Sequence, residues 1–210
     1  MRIFKTTFLT LALLAGSLTY AQEETTTEET TEESSFAISG SIDTYFRSSE
    51  YAPGTSFGNL PGFALGMANV VVSYEGEKSG FVADLVFGPR GNDAVFGSPT
   101  GSSEVINQLY AYWNVSESTT LTVGRFNTFL GYEVISAAGN FNYSTSYLFS
   151  YGPFSHTGLK ADITLSNDFS LMLGIFNDTD LTEFNPTGNY ALGAQLGYGN
   201  QYLNLLLDPS

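Results

Sequence analysis

The stretch HTGLKADITLSNDFSLMLGIF, residues 156–176, contains two segments of alternating side chains joined by a short polar connector. In the first segment Leu159 and Ile163 alternate with His156, Lys160 and Asp162. Successive side chains of a β-strand point to opposite faces, so a period of two indicates a strand with an apolar side and a polar side. The connector Ser-Asn-Asp at 166–168 has residues typical of turns. The stretch therefore predicts an antiparallel hairpin.

The chain after residue 35 repeats this plan. Nine strands are predicted and no convincing helix. In 119–126 the alternation is weaker, because Leu121 and Val123 share a parity with Arg125. The fold class that follows is all-β. The predicted strands lie at 36–47, 63–75, 80–87, 106–115, 119–126, 156–165, 169–176, 190–198 and 202–207.

The connectors between these strands alternate in length. Long connectors at 48–62, 88–105, 127–155 and 177–189 alternate with short ones at 76–79, 116–118, 166–168 and 199–201. Bacterial outer-membrane barrels have short periplasmic turns and long extracellular loops, and lipid requires every backbone polar group to be paired. The pattern predicts an antiparallel transmembrane β-barrel. The alternative is a soluble β-sandwich with an aromatic core.

The composition excludes several other classes. The 210 residues include no cysteine and one histidine, which leaves no disulfide framework, thiolate zinc site or multi-histidine metal centre. With 21 acidic and 7 basic side chains, the net charge of −14 opposes nucleic-acid binding. Charged residues make up 13 %, about half the usual share of a soluble domain, and aromatic residues 15 %. Aromatic side chains near strand ends fit the interfacial girdles of a barrel.

Three regions follow one another along the chain. Residues 1–21 have the plan of a cleaved signal peptide, with two basic residues, a short apolar run and small residues before the cleavage point. Residues 22–35 contain six glutamates among threonine and serine, which predicts a disordered acidic spacer. Residues 36–210 form the predicted barrel domain. We therefore expect export to the outer membrane.

The strand count is small for an open pore. Barrels of eight strands are filled by their own side chains, whereas about 16 strands leave an aqueous channel. Bacterial single-chain barrels also have even strand numbers. We therefore expect the barrel domain to be C-terminally incomplete, part of a larger porin. Strand-like sequence encoded beyond Ser210 would support this expectation.

Four segments carry a family resemblance: DLVFGPRG (84–91), GRFNTFLGYEVI (124–135), NFNYSTSYLFSYGPFSHTG (140–158) and GIFNDTD (174–180). They resemble the OmpL-like β-barrel porins of Gram-negative outer membranes, most specifically over 124–158. The resemblance covers about residues 36–207. It implies an outer-membrane barrel that passes small polar solutes, with no enzymatic activity and no cofactor.

The longest connector, 127–155, is the expected constriction, because long loops in compact folds are usually functional. Charged side chains in such a constriction set selectivity. Arg125 and Lys160 have an alternative role as lumen salt-bridge partners, and Arg90 as part of a turn. Tyr143 either lines a sugar path or packs the loop. The candidate pore-lining residues are Arg90, Arg125, Glu133, Tyr143, His156, Lys160 and Asp162.

The predicted function is passive diffusion of small polar solutes through a lumen narrowed by the 127–155 loop. The expected partners are outer-membrane lipid and small polar solutes, without nucleic acid; a homo-oligomer is left open. One alternative is a non-transporting structural or adhesin barrel. A weaker one is a lipid hydrolase built on His156 and nearby serines, although no GxSxG motif is present. We expect no metal, since Asp178, Asp180 and Glu183 lack the pattern of an EF-hand loop.

Overall fold

A computed structural model describes residues 34–52, 54–55, 57, 59–95 and 98–209. The predicted signal peptide and positions 22–33 of the predicted spacer lie outside the described residues. The strands are β1 Ser35–Arg47, β2 Gly62–Glu75, β3 Ser79–Phe87, β4 Ile106–Ser116, β5 Thr119–Asn127, β6 Ser155–Thr164, β7 Phe169–Phe176, β8 Ala191–Tyr198 and β9 Gln201–Leu207.

These strands form one antiparallel sheet. Its order is β1-β2-β3-β4-β5-β6-β7-β8-β9, so each strand pairs with its neighbours in sequence. The predicted all-β antiparallel fold and its nine strands are confirmed, with strand ends within one residue of the predicted bounds. Strands β1 and β9 are the two edges of the sheet and do not pair with each other, so the sheet is not closed.

Short helical segments lie inside the long connectors. Helix α1 spans Pro89–Ala94 and begins with a proline, which suits the first turn because it needs no donor there. Helix α2 spans Tyr147–Tyr151, and the hydroxyl of Ser146 caps it by accepting a hydrogen bond from the Phe149 N–H at 3.2 Å. A single 3₁₀ turn covers Ala137–Gly139. In the described part of the chain, no helix has the length and apolarity needed to cross a membrane.

The connector lengths follow the predicted alternation. Residues 48–61, 88–105, 128–154 and 177–190 form the long connectors, and 76–78, 117–118, 165–168 and 199–200 the short ones. Because every neighbouring pair is antiparallel, all four long connectors leave the sheet at the same end. The long loops and the short turns are thus separated to opposite ends of the sheet, as in outer-membrane barrels.

The strand register separates two faces of the sheet, since directly opposed residues of an antiparallel pair share a face. We call one the apolar face: its side chains are aliphatic or aromatic and largely exposed. An exposed apolar surface of this extent is what a lipid-facing wall requires. Its exposed members include Phe36, Ile38, Ile42, Phe46, Phe63, Leu65, Val70, Phe81, Phe87, Leu109, Trp113, Val115, Val123, Leu159, Leu173, Ile175, Leu192, Leu196, Leu203, Leu205 and Leu207.

The opposite side is the polar face. Its side chains carry hydroxyl, amide and charged groups, and small residues lie between them. Two clusters of buried residues also lie on this side, next to the long connectors. One contains Phe57, Met67, Val86, Ala94, Val95, Ile135 and Phe154, and the other Phe126, Met172, Phe176 and Ala191. Polar-face members include Ser41, Asp43, Asn69, Asp84, Gln108, Tyr110, Tyr112, Thr122, Lys160, Asp162, Gln195 and Asn204.

Candidate functional site

The longest connector, residues 128–154, lies over the polar face. At its start, Phe129 packs against His156 of β6 and Phe176 of β7, with ring centroids 5.1 and 5.9 Å apart. The carbonyl oxygen of Phe129 accepts a hydrogen bond from Nε2 of Gln195 on β8 at 3.1 Å. A Cβ on Gly193 would come within 2.8 Å of the Phe129 ring, so β8 needs glycine there for the loop to pack. These contacts attach the beginning of the loop to strands β6–β8.

The same loop is attached through Tyr143 to β1, the edge strand on the other side of the sheet. The Tyr143 hydroxyl donates to Oδ2 of Asp43 on β1 at 2.8 Å, and its ring centroid lies 4.9 Å from that of Tyr45. Burial of the Tyr143 phenol raises its pKa, and the hydrogen bond to Asp43 raises it further. A neutral phenol is therefore favoured, which keeps this donor in place. The loop thus contacts both β1 and β8 across the polar face.

Arg90 holds the middle of the loop. It lies in α1 with only 1 % of its surface exposed. Its Nε donates to the Ile135 carbonyl at 2.8 Å and its Nη1 to the Tyr143 carbonyl at 3.1 Å. The guanidinium carbon lies 4.5 Å from the centroid of the Phe57 ring. Burial lowers the pKa of Arg90, and the nearby Tyr143 and Asp43 partly offset this effect. Arg90 therefore connects α1 to the loop rather than facing open solvent.

Glu133 acts within the loop. Its carboxylate accepts hydrogen bonds from the Ser146 backbone N–H, at 2.9 Å to Oε1, and from the Ser146 hydroxyl. Ser146 is also the residue that caps α2. Glu133 therefore joins the two halves of the loop, and the side chain is partly exposed.

Three candidates share the polar face of β6. His156 is buried, its Nε2 lies 2.9 Å from the Thr128 hydroxyl, and Phe129 and Phe176 both contact its ring. Lys160 and Asp162 form an ion pair with 2.7 Å between Nζ and Oδ2, and both side chains are partly exposed. The Lys160 ammonium lies 5.3 Å from the Phe126 ring centroid. Lys160 and Asp162 are thus accessible, whereas His156 is packed beneath the loop.

Arg125 lies apart from the other candidates. Arg125 lies on β5, directly opposite Leu109 on β4 and Thr157 on β6. This register places it on the apolar face with Leu121 and Val123. It is nevertheless only 4 % exposed. Arg125 was grouped with Lys160 and Asp162 as a pore-lining candidate, but the register places it on the other face. Its partner Thr157 is separated from both by an odd number of residues along β6, and side chains at odd spacing in a strand point to opposite faces. The pore-lining roles of all seven candidates stay predictions.

The polar face also contains residues that the sequence candidates omitted. A hollow of about 320 Å³ beside Lys160 is lined by hydroxyl and amide side chains from β4 and β5. The alternation in 106–115 already separated a polar side from an apolar one, and this was the available signal. Besides Phe126 and Lys160, the lining residues are Gln108, Tyr110, Tyr112, Thr120, Thr122 and Asn127.

A second omitted feature is a row of hydrogen-bonded side chains across β1–β4. Both the backbone N–H and the hydroxyl of Ser41 donate to Oδ1 of Asn69, at 2.8 and 2.7 Å. Nδ2 of Asn69 donates to Oδ1 of Asp84 at 3.2 Å, and Nδ2 of Asn107 donates to Oδ2 of Asp84 at 2.7 Å. We call these four residues the Asp84 row. Its members come from four strands, so no short sequence motif indicates it.

The chain matches a known protein family. The model of the family described as "Putative beta-barrel porin-2, OmpL-like" matches residues 35–207, which include all nine strands and the loop over the polar face. Neither the curated proteins nor the solved structures contain a match to the chain. The family accounts for the separation of lipid-facing and polar faces and implies localisation in the outer membrane. The chain therefore belongs to the OmpL-like β-barrel porin family.

Proposed function

We propose that the protein is an outer-membrane porin through which small polar solutes diffuse passively along the polar face, with loop 128–154 narrowing the path. The observation that carries this proposal is the attachment of the loop to strands on both sides of the polar face. Tyr143 bonds Asp43 on β1, and Phe129 bonds Gln195 on β8. A loop held at both sides is fixed over the face that a barrel turns towards its lumen. It occupies space there instead of extending into solvent.

The chemistry of the polar face supports small polar solutes. The hollow beside Lys160 presents phenol, hydroxyl and amide groups, which exchange hydrogen bonds with water and with uncharged polar solutes. Lys160 is paired with Asp162, so this region has little local net charge. Solute passage over such a surface needs no dedicated binding step, as in diffusion through a wide polar channel.

Conductance measurements test the proposal. The full chain is expressed in a Gram-negative host that lacks its major porins, extracted from the outer membrane and added to planar bilayers. We expect stepwise conductance increases, and Tyr143→Phe is expected to raise the conductance of each step because the loop loses its hydrogen bond to Asp43. Tyr51→Phe is the matched control, since Tyr51 is exposed outside the polar face. Folded protein without conductance would overturn the proposal.

A non-transporting adhesin or structural barrel is the second candidate. Several aromatic side chains of the long connectors are almost fully exposed, among them Tyr51, Phe141 and Tyr151. Exposed aromatic residues in outer loops are suitable for binding a partner. Folded protein that binds to surfaces or cells but shows no conductance would favour this function.

We propose no catalytic role. His156, the residue on which a hydrolase would depend, has the hydroxyl of Thr128 beside its Nε2, and its ring is in contact with two phenylalanines. This packing favours a structural histidine. Loss of lipid hydrolysis in His156→Ala, relative to an active parent protein, would contradict this view.

We also propose that residues 1–21 are removed during export. The plan of basic, apolar and small residues supports this. N-terminal sequencing of the protein extracted from the outer membrane is expected to begin at Gln22. A start at Met1 would show that the segment is retained.

A further inference from the structure

The charged groups over the polar face differ in how they are neutralised. Asp162 pairs with Lys160 at 2.7 Å. Asp43 accepts a hydrogen bond from Tyr143 and lies near enough to Arg90 to interact with its charge. Asp84 differs from both, because its two carboxylate oxygens accept hydrogen bonds from the neutral amides of Asn69 and Asn107.

The hydrogen-bond partners of Asp84 are uncharged. Within the described residues no lysine, arginine or histidine forms an ion pair with it, and both amides of the Asp84 row direct their N–H groups at it. Hydrogen bonds from neutral amides do not cancel the charge of a carboxylate. Asp84 is therefore an acidic side chain whose hydrogen-bond partners are neutral.

The position of Asp84 makes this charge effective at a distance. Its residue is 5 % exposed, and Val86, two positions further along β3, belongs to the buried cluster that includes Ile135 of the loop. Asn107 is 3 % exposed, and its Oδ1 has no hydrogen-bond partner within the described residues. This amide oxygen is an acceptor without a partner in the described residues, and it belongs to the amide that donates to the carboxylate. In surroundings of low polarity, charge and dipole act over longer distances than they do in water.

We propose that Asp84 determines charge selectivity, giving the pore a preference for small cations over small anions. This inference rests on the proposed function and adds to it a solute class and a residue. The Asp84 row holds the carboxylate on the polar face close to the loop, so that ions passing the loop experience its field. The exposed end of the row, Ser41, connects it to the accessible surface.

Reversal potentials in a KCl gradient across planar bilayers test the inference. The parent chain is expected to show a higher permeability for K⁺ than for Cl⁻. Asp84→Asn is expected to lower that permeability ratio about two- to fivefold, the effect of removing one charge at a few ångströms in a partly aqueous path. Asp84→Glu keeps the charge and is expected to retain the preference. Asp168→Asn in a short turn is the matched control, because it makes the same chemical change away from the polar face.

The outcomes separate this inference from the proposed function. Absence of conductance from folded parent protein overturns the porin proposal. Conductance with anion preference, or the same ratio in Asp84→Asn and Asp168→Asn, overturns only the role of Asp84. If Asp84→Asn does not fold, Ser41→Lys places a positive charge at the exposed end of the same row and is expected to lower the K⁺ preference. An unchanged ratio in Ser41→Lys would overturn the inference.

Discussion

Lys160 and Arg125 are cations on neighbouring strands that lie on opposite faces of the sheet. Lys160 finds Asp162 two residues along the same strand, on the same polar face, and both side chains remain partly exposed. Arg125 lies on the apolar face, and its Nε and Nη1 have no hydrogen-bond partner within the described residues. The same type of charge is therefore accommodated in two different ways.

The difference shows how a charge on the lipid-facing side is accommodated. Leu109 and Val123, neighbours of Arg125 on the apolar face, are half-exposed, whereas Arg125 is buried. Connector 177–190 supplies polar groups to this region: Asp180 interacts with the Arg125 charge, and the Thr182 carbonyl accepts a hydrogen bond from Thr157, directly opposite Arg125. Lys160 is thus paired within its own strand, whereas the carboxylate that interacts with Arg125 comes from a loop.

Asp180→Ala is expected to have the largest effect on this comparison. Asp180 accepts hydrogen bonds from the backbone N–H groups of Phe154 and Ser155, at 3.1 and 3.4 Å, and its removal leaves both donors and Arg125 without this carboxylate. We expect the free energy of unfolding to fall by about 2–3 kcal/mol. Urea titration in detergent, followed by the fluorescence of Trp113, measures it. Asp180→Asn retains an acceptor and is expected to lose less; equal losses would contradict this explanation.

Arg125→Leu is expected to have the opposite sign. Leucine replaces a buried guanidinium whose Nε and Nη1 lack hydrogen-bond partners within the described residues, while Asp180 keeps its hydrogen bonds from Phe154 and Ser155. Because an incompletely bonded buried charge is removed, we expect the free energy of unfolding to rise by about 1 kcal/mol. The same urea titration measures the change. A loss of stability would indicate that Arg125 has a stronger interaction with connector 177–190 than its contacts show.

Lys160→Met is expected to lower the free energy of unfolding by less than about 1 kcal/mol, because the ion pair that it breaks is partly exposed and screened by solvent. Opposite signs for Lys160→Met and Arg125→Leu would confirm that the two faces accommodate charge differently. The same sign and size for both would remove the distinction.

The smallest expected effect is the pH dependence due to Asp180. Burial raises the pKa of Asp180, and hydrogen bonds from Phe154 and Ser155 together with the Arg125 charge only partly offset it. A carboxyl group whose pKa is higher in the folded than in the unfolded protein stabilises the fold at pH values below its pKa in the unfolded protein. This contribution is lost as the pH rises through its pKa in the folded protein. Relative to Asp180→Asn, the parent protein is therefore expected to lose stability as the pH rises above about 4. A difference that is constant with pH would contradict the shift.

The strands could be predicted from the sequence because period-two alternation is a local signal. The position of Arg125 on the apolar side was also visible, since Leu121 and Val123 share its parity, although its charge suggested a lumen role. The contact between Tyr143 and Asp43 joins residues 100 positions apart, and the Asp84 row takes one residue from each of four strands. Such contacts depend on register and loop packing, which no short segment specifies.

The order of the strands determines how such a sheet can gain or lose strands during evolution. Each strand pairs only with its neighbours in sequence, so inserting or deleting a hairpin leaves the register within the remaining pairs unaltered. A single added strand would instead reverse the direction of everything after it and move later long connectors to the other side of the membrane. The hairpin, two strands with one long and one short connector, is therefore the natural unit by which this architecture can grow or shrink while its outer surface stays outside.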